Sequence, residues 1–462
     1  MKILTAIANY GIKNKDYLNT LLREYRSMPY NIDIVVLSDI PKELGNDIEV
    51  AVGLPSKNPW PLPFGHKKIF AERADKYDLF IYTEDDILIT ENNIRAFLEA
   101  TQILPENNIA GFMRYEVDPS SQDSLVRWFP DVHGHFHWLP DSVKLIDGHT
   151  FACFTNLHSA CYILTQKQLK MAIDSGGFLV GPHEGQYDLL CTAATDPYTQ
   201  CGFTKVICIS SLEDFLVHHL SNKHAGKVGI SRDNFSKQVE KLMSIGLDNK
   251  NTNQLIKTET KWNKNYYELR RDDILSLIPH EAKNVLSVGC GMGLTEASLV
   301  ERGIRVAGVP LDSVIAVCTE SKGIKVTIPD FDESIKSLSD ERFDCIIFSE
   351  ILHSISNPVK VLSRYIRLLT NGGVIIISAP NFNYFKRWKE LLSDKFSKKY
   401  FNNSGFHFTT EKVIRAWLKE AGIKDVSVVY GVKKNYRWYV KLSLGILEEF
   451  LASKLLFVGK AT

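Results

Sequence analysis

The chain has 462 residues, more than one hydrophobic core usually serves, so two domains are expected. Its 55 Lys and Arg nearly balance 54 Asp and Glu, which argues against a nucleic-acid partner. The eight cysteines include no C-x-x-C pair, which favours reduced thiols over a secreted disulfide scaffold. No apolar run approaches the ~20 residues that span a bilayer, and Asn9 interrupts the amino-terminal run. We therefore expect a soluble cytoplasmic protein without a transmembrane segment.

Short β-like runs alternate with helical patterns through the first half of the chain. This alternation predicts an α/β domain with a mainly parallel sheet covered by helices. The predicted strands are residues 3–8, 32–37, 79–83, 109–113, 160–164 and 206–209.

The pattern changes around residues 222–265, where polar stretches flank one helix-like segment. We predict a first domain over residues 1–225, a linker with a helix over 226–262, and a second α/β domain over 263–462. In the second domain, a helix near residues 266–278 precedes a new alternating series. Its predicted strands are residues 285–288, 306–309, 345–348, 374–378, 426–430 and 455–459.

In the first domain, one predicted strand runs directly into three acids. The segment YDLFIYTEDDILIT places Glu84, Asp85 and Asp86 after an apolar run. Carboxylates at the carboxyl end of a buried strand lie where α/β sheets bind ligands. Such a pair can hold a divalent cation, which in turn binds a diphosphate. The segment resembles the D-x-D element of GT-A glycosyltransferases, and this implies Mn²⁺ or Mg²⁺ with a nucleotide-sugar donor.

Other short segments follow in the order that a GT-A-like nucleotide-diphospho-sugar transferase fold implies. The resemblance places Ala8, Asn9 and Tyr10, at the end of the first strand, against the nucleotide. It gives Asp39, after the second strand, contact with the base. It gives Lys67, in GHKKIFAERADKY, contact with the phosphates.

Two further segments complete this resemblance, which covers about residues 1–225. In HEGQYDLL, Glu184 and Asp188 are four residues apart, so a helix would place them on one face. The resemblance implies a catalytic carboxylate here that deprotonates the acceptor hydroxyl, with Asp188 preferred to Glu184. In FLVHH, it implies that His218 or His219 completes the metal shell.

The segment VHGHFH has histidines at alternate positions, His133, His135 and His137. On a strand they would share one face, as in a zinc site. No cysteine or carboxylate stands at ligand spacing, so we favour an acceptor-site loop in which Trp128 and Trp138 stack on sugars.

In the second domain, the segment VLSVGCGMG places Gly289, Gly291 and Gly293 directly after a strand and before a helix. Such glycines allow a tight turn and close approach to a ligand at a helix amino terminus. The loop, with RFDCIIFSEILHSISNP, LLTNGGVIIISAPN and LLFVGKAT, resembles class I S-adenosylmethionine-dependent methyltransferases over about residues 263–462. This implies a Rossmann-like fold with S-adenosylmethionine held by the glycines, Cys290 and Ser349. Another Rossmann-like enzyme is the alternative.

Two positions depart from that family. An acid is usual where Ser287 lies, and another, which holds the cofactor ribose, where Pro310 lies. Asp312 and Asp330 are the nearby acids that could substitute. Losing one charged contact costs roughly 1.5–3 kcal/mol, so we expect binding on the order of tens of micromolar.

Methyl transfer to a hydroxyl also needs a proton acceptor. Glu350 and His353 follow the predicted fourth strand, at the edge where such sites form. We take His353 as the candidate base because imidazole titrates near neutral pH. A packing role for this histidine is the alternative.

Three hypotheses cover the whole chain. The first is a bifunctional enzyme of surface-glycan assembly that transfers a sugar to a glycan acceptor and O-methylates a sugar hydroxyl. The second makes the methyltransferase-like domain a non-catalytic scaffold, and the third makes the first domain a carbohydrate-binding module. The segment KKNYRWYVKLSLGILEEFLASK interleaves basic and aromatic residues. We favour an insertion packed on the sheet over peripheral membrane contact.

Overall fold

The structure is a computed structural model that describes residues 1–118, 126–130, 136–248, 254–255, 262–387 and 405–461. The chain divides into two compact units, Met1–Lys250 (unit 1) and Asn251–Thr462 (unit 2). Both units alternate strands with helices, as the sequence predicts. In the described part of the chain, no helix has the length and apolar character needed to cross a membrane.

Unit 1 contains three sheets and their covering helices. The strands are β1 (Lys2–Ala8), β2 (Asn31–Ser38), β3 (Ile48–Val52), β4 (Leu79–Glu84), β5 (Ile87–Leu88), β6 (Asn108–Ala110), β7 (Met113–Val117), β8 (Arg127–Phe129), β9 (Trp138–Ile146), β10 (His149–Phe154), β11 (Cys161–Thr165), β12 (Thr204–Cys208), β13 (Leu216–His219) and β14 (Ile230–Ser231). The helices are α1 (Lys15–Ser27), α2 (Gly65–Glu72), α3 (Glu91–Ile103), α4 (Gln166–Asp174), α5 (Leu189–Thr199) and α6 (Arg232–Asp248).

The main sheet of unit 1 has the order β11-β4-β1-β2-β3. Strands β4, β1, β2 and β3 are parallel, and β11 is antiparallel to β4. Residues 3–8 of β1 are all buried, as expected for a strand covered on both faces. The parallel strands bring their carboxyl ends to one edge, where Ala8 pairs with both Leu37 and Glu84.

Two smaller sheets, β6-β12-β10-β9 and β14-β8-β7-β13-β5, complete unit 1. Helix α6 packs against β8, β9 and β14, with Phe235 stacked on Phe129 at 3.8 Å between ring centroids. The prediction of a linker over residues 226–262 is therefore wrong for α6. Its apolar face is buried against unit 1 strands, and it belongs to that unit.

Unit 2 contains one seven-stranded sheet. Its strands are β15 (Asn284–Cys290), β16 (Arg305–Pro310), β17 (Lys325–Val326), β18 (Phe343–Ser349), β19 (Leu369–Pro380), β20 (Asp425–Val432) and β21 (Ala452–Lys460). Its described helices are α7 (Asp272–Leu275), α8 (Leu294–Glu301), α9 (Ser313–Glu320), α10 (Phe331–Ser337), α11 (Pro358–Tyr365), α12 (Glu411–Glu420), α13 (Arg437–Leu442) and α14 (Glu448–Leu451).

The strand order in unit 2 is β17-β16-β15-β18-β19-β21-β20. The first five strands are parallel, and β21 runs antiparallel to both β19 and β20. Aliphatic side chains such as Val285, Ile347 and Ile376 fill one face of this sheet. The predicted helix near residues 266–278 is much shorter, because only α7 is helical there. The preceding residues instead lie across the loop that follows β15.

Candidate functional site

In unit 1, the carboxylate of Asp85 is held by two amides from the first part of the chain. Asn9 Nδ2 donates to Asp85 Oδ2 at 2.5 Å, and Asn14 Nδ2 donates to Asp85 Oδ1 at 2.8 Å. Lys42 Nζ donates to Asn9 Oδ1, so a cation lies beside the same group. The ends of β1 and β4 thus form one polar cluster at the edge of the sheet.

Asp86 points instead to the second half of unit 1. His219 Nε2 lies 3.0 Å from Asp86 Oδ2, and His219 Nδ1 lies 2.5 Å from Glu116 Oε1. Burial alone would raise the pKa of Asp86, but the hydrogen bond from His219 lowers it below its usual value. Burial would likewise lower the pKa of His219, but its two carboxylate partners raise it. The imidazole is held between two carboxylates, which favour its protonated form.

The other two acids of the cluster, Glu84 and Asp85, have pKa values near neutral pH. Burial, and then the charge of Asp86, raises the pKa of Glu84 to about 7. Burial raises the pKa of Asp85 to about 7 as well, against the opposing effect of Asn14. His158, 3.9 Å from Glu84, is neutral because burial lowers its pKa well below the usual value. The charges of Arg114, His219 and Lys223 act on Glu84 in the opposite direction.

The five predicted metal ligands do not converge on one point. Asp85 faces the asparagines, Glu84 faces His158, and Asp86 faces His219. His218 lies on the opposite face of β13, where its ring stacks on Tyr115 and Nε2 contacts Asn222. Within the residues that the structure describes, no group of three or more His, Cys, Asp or Glu side chains has a metal-site arrangement. Of the two histidines, His219 is the one beside Asp86, because adjacent residues on β13 point to opposite faces. A metal shell at this place stays a prediction.

Lys67 does not lie where the predicted phosphate contact requires. It is buried on α2 and forms an ion pair with Asp196 of α5. Burial lowers the pKa of Lys67, while Asp196 opposes that shift. The predicted role is wrong because this cation neutralises a fully buried carboxylate inside unit 1.

Glu184 and Asp188 do not share a helix face. Both are exposed, and Glu184 lies in an irregular segment before α5. Asp188 is the N-cap of α5, where its carboxylate accepts a hydrogen bond from Cys191 N at 3.0 Å. A run with Gly181, Pro182 and Gly185 does not support a helix. The preceding residue, Tyr187, has its ring 6.1 Å from that of His158, beside the acidic cluster.

The remaining predicted donor residues lie at the same edge. Gly11 N donates to Asp39 Oδ1 at 2.7 Å, so the ends of β1 and β2 are joined there. Tyr10 is about half exposed, at 49%. His133 and His135 of the histidine segment lie outside the described residues, while His137 is buried.

In unit 2, the glycine loop spans the end of β15, which includes Gly289, and the residues before α8. Gly289 and Gly293 have φ values of +79° and +83°, which favour glycine. A Cβ atom at Gly291 would lie 2.3 Å from Tyr266 O, and Met292 N donates to that carbonyl at 2.7 Å. The space beside Gly291 is thus filled by the backbone of residues 265–267 and is not open to a ligand. Gly293 is the N-cap residue of α8 and has no side chain that could cap the first turn of the helix.

Ser287 has a carboxylate partner that the sequence did not reveal. Its Oγ donates to Glu296 Oε1 at 2.6 Å, and both residues are buried. Glu296 lies on α8, directly after the glycine loop. An acid on the adjacent helix therefore lies beside the position on β15 where the sequence lacks one.

The two candidate ribose acids, Asp312 after β16 and Asp330 after β17, act as helix caps. Asp312 Oδ1 accepts from Val314 N and Ile315 N, both at 2.7 Å, at the start of α9. Asp330, which is exposed, caps α10 in the same way. Gln254 forms a β-bridge with Asp312, so another part of unit 2 runs beside this strand end. A ribose contact from either acid stays a prediction.

Charged residues surround the ends of β18 and β19. Glu350 has φ +53° and accepts from Arg271 Nη1 at 2.8 Å, and it also pairs with Lys454. Burial alone would raise the pKa of Glu350, but these cations lower it to about 2. Glu268 pairs with Lys264 at 2.7 Å and accepts a hydrogen bond from Ser349 Oγ at 3.4 Å.

His353 is placed differently from its predicted role. It is fully buried, and Nε2 donates to Trp262 O at 2.7 Å. Burial lowers the pKa of His353 to about 4, so the ring is neutral. The structure contradicts the prediction of a catalytic base, because the side chain fixes residue 262 against the sheet instead of facing solvent.

Comparisons with known proteins bear on unit 2. A family model described as "Methionine biosynthesis protein MetW" matches residues 270–455. The Ubiquinone biosynthesis O-methyltransferase of Paracidovorax citrulli (strain AAC00-1) is 28% identical over 121 residues, which are 25% of this chain and 51% of that protein. That of Coxiella burnetii (strain RSA 493 / Nine Mile phase I) is 31% identical over 108 residues, 22% of this chain and 46% of that protein. The chain thus spans about half the length of these relatives.

Among solved structures, a SAM dependent methyltransferase from Archaeoglobus fulgidus has 16% identity and a TM-score of 0.34, over 41% of this chain and 90% of that one. The family match, the curated relatives and the seven-strand order of unit 2 agree with one another. Unit 2 has the class I methyltransferase fold. In this methyltransferase fold the glycine loop is kept, and Glu296 supplies a carboxylate beside Ser287.

Proposed function

We propose that unit 2 transfers a methyl group from S-adenosylmethionine to a hydroxyl group of an acceptor. The glycine loop between β15 and α8 carries this proposal. It lies at the carboxyl edge of a parallel sheet, where such folds bind their ligands. The cofactor supplies the methyl group from its sulfonium, and the chain's residues hold and orient it.

The residues at this edge fit the methionine end of the cofactor. Arg271 and Lys264 are cations that suit a carboxylate, and Glu268 and Glu296 are acids that suit an ammonium group. Arg271 is 10% exposed, so its charge is only weakly screened. The ribose end is poorer, because Pro310 offers no carboxylate and Asp312 caps α9. We therefore keep the expectation of binding on the order of tens of micromolar.

The matched relatives are named as O-methyltransferases, which supports oxygen as the methyl acceptor. The test is calorimetric titration of the full chain with S-adenosylmethionine, followed by methyl transfer to phenolic and sugar hydroxyls. Saturable binding with turnover on either acceptor class supports the proposal. Absence of binding at millimolar cofactor would leave unit 2 as a non-catalytic scaffold.

We also propose that unit 1 is a metal-dependent glycosyltransferase, because a specific arrangement favours it. Asp85 is clamped at the ends of β1 and β4, and Asp86 with His219 forms a carboxylate–imidazole pair 3.0 Å apart. Mg²⁺ and Mn²⁺ commonly take few protein ligands and complete their shell with substrate phosphates and water. This pair would hold the cation, and the diphosphate of a nucleotide-sugar would complete its shell.

Within that proposal, Asp188 is the group that accepts the proton of the acceptor hydroxyl. It is exposed, and its charge reaches His158 beside Glu84. Asp188→Asn should lower turnover by about 10²–10⁴-fold with nearly unchanged donor affinity. Hydrolysis or transfer of nucleotide-sugars with Mn²⁺ is the measurement. The alternative, a carbohydrate-binding module, predicts sugar binding without any nucleotide dependence.

The two proposed activities, on one polypeptide, would suit a role in glycan assembly. A sugar added by unit 1 and methylated by unit 2 would stay at high effective concentration, because the units are tethered. The test is the product of the full chain with both cofactors. A methylated sugar formed faster than by a mixture of single-site variants supports this role.

A further inference from the structure

The segment between β20 and β21 exposes an unusual set of side chains. We call residues 433–451 the lobe; it contains α13, a short loop and α14. Its exposed apolar residues include Leu444 at 91%, Ile446 at 84%, Trp438 at 63% and Leu442 at 62% of their surface. Soluble proteins rarely present such side chains together. The lobe therefore exposes a patch that needs an explanation.

The backbone of the lobe holds these side chains outwards. Leu444 has φ +50° and the following Gly445 has φ +88°. The first of these is a left-handed conformation that a leucine rarely adopts, so the turn places its side chain in solvent at a conformational cost. At the base, Phe385 packs against Tyr436 and Phe450, with ring centroids 5.5 and 5.6 Å apart. The base is anchored to unit 2, and the tip is the exposed part.

The charges on residues 433–447 of the lobe are of one sign. Residues 433–447 contain four basic side chains and no acid: Lys433, Lys434, Arg437 and Lys441. All four are exposed. The first acids that follow, Glu448 and Glu449, lie near the base, where Glu449 accepts from Asn383 Nδ2 at 2.9 Å. The whole chain is almost neutral, so this positive charge is local.

We propose that the lobe docks the protein on the surface of an anionic lipid bilayer. An apolar tip with a Trp and a Tyr, surrounded by Lys and Arg, is the composition of segments that lie in the membrane interface. The tip residues enter the acyl boundary, and the basic residues contact anionic headgroups. No described helix is able to span a bilayer, so the contact is peripheral. This inference does not depend on either proposed activity.

The experiment is flotation of the full chain with vesicles of phosphatidylcholine alone or with about one third phosphatidylserine. We expect binding to the anionic vesicles that falls as salt rises. The double variant Leu444→Ser/Ile446→Ser should bind about tenfold more weakly or worse, and it should keep its fold because both side chains are exposed. Leu247→Ser, which changes a residue 70% exposed in unit 1, is the matched control. Quenching of fluorescence by brominated lipid should disappear in Trp438→Phe.

Two outcomes would overturn the proposal. One is equal flotation of the chain with neutral and anionic vesicles, or none with either. The other is a dimer in light scattering that Leu444→Ser/Ile446→Ser dissociates while vesicle binding is absent, which would identify a second copy of the chain as the occupant.

Discussion

Ser287 Oγ donates a 2.6 Å hydrogen bond to Glu296 Oε1 inside unit 2. An acid introduced at position 287 would therefore meet another carboxylate rather than an empty site. We expect Ser287→Asp to lower the free energy of unfolding of unit 2, because two buried carboxylates at this distance cannot both ionise. The swap Ser287→Asp/Glu296→Ser should restore stability. Chemical denaturation of the three proteins is the measurement; a stable Ser287→Asp single variant would show that Glu296 can turn away.

Removing one partner of the Lys67–Asp196 ion pair should destabilise unit 1, whereas replacing both partners with apolar residues should be tolerated. Lys67→Met leaves a fully buried carboxylate without its cation, which should cost about 3–5 kcal/mol in the unfolding transition of unit 1. Lys67→Met/Asp196→Leu should recover most of that loss. Lys68→Met, which removes a neighbouring exposed lysine, should cost less than about 1 kcal/mol. Urea unfolding measures all three, and a double variant as unstable as the single would contradict the ion-pair account.

Substitutions of the two histidines of β13 should differ in their effect on metal-dependent nucleotide binding. In the proposed metal site each of these residues contributes one contact to the cation, so we expect Asp86→Asn and His219→Gln to weaken binding of UDP or GDP with Mn²⁺ by about tenfold to a hundredfold. His218→Gln should have no effect, because that ring faces Tyr115 and Asn222. Asp85→Ala should also reduce binding. Calorimetry decides the matter, and equal binding by wild type and His219→Gln would remove the histidine from the site.

The buried His353 should make unit 2 sensitive to acid. Its pKa is about 4 in the folded chain and near 6.5 when unfolded, so the unfolded chain takes up the proton first as the pH falls. The contribution to stability is present above about pH 6.5 and is lost as the pH falls towards 4, by roughly 3 kcal/mol in total. His353→Gln keeps a donor to Trp262 O but does not titrate. Melting temperatures of both proteins from pH 7.5 to 4.5 should converge at low pH; parallel curves would exclude this cause.

A substitution at Gly291 should disturb the packing of the chain itself rather than clash directly with a ligand. Gly291→Ala places a Cβ atom 2.3 Å from Tyr266 O, so residues 265–267 must move and the hydrogen bond from Met292 N is strained. We expect a lower melting temperature and faster proteolysis near residue 266. Gly185→Ala, where nothing lies within 4 Å of the new atom, is the control. Lost cofactor binding with unchanged melting would instead support a direct clash with the ligand.

The strands were predictable because their apolar runs are local. The runs at β1, β4, β15 and β18 lie within a residue or two of their predicted positions. The glycine loop was predictable for the same reason, since its signal lies within nine residues. The prediction that one helix carries both Glu184 and Asp188 was wrong. The run with Gly181, Pro182 and Gly185 disfavours a helix more strongly than the four-residue spacing of the two acids favours one.

The partners of the site residues were not predictable, because they are distant in sequence. Lys67 and Asp196 are 129 positions apart, and His219 and Glu116 are 103 apart. A basic residue near a presumed phosphate site and one that neutralises a buried acid have the same sequence signature. Only the fold decides which carboxylate each cation meets. Glu296 could have been considered from the sequence, since it is an acid on the helix after the glycine loop and could replace the one missing at Ser287.

The position of β21 has a consequence for how unit 2 is made. This strand lies between β19 and β20, although it follows both of them in the chain. During synthesis β19 therefore has an unpaired edge and β20 has no sheet to join until residues 452–460 are available. Exposed apolar edges of this kind invite pairing with other nascent chains. Expression yield should thus depend on the integrity of the β21 segment more than on any part of the site, and chaperone demand should be highest just before that segment is translated.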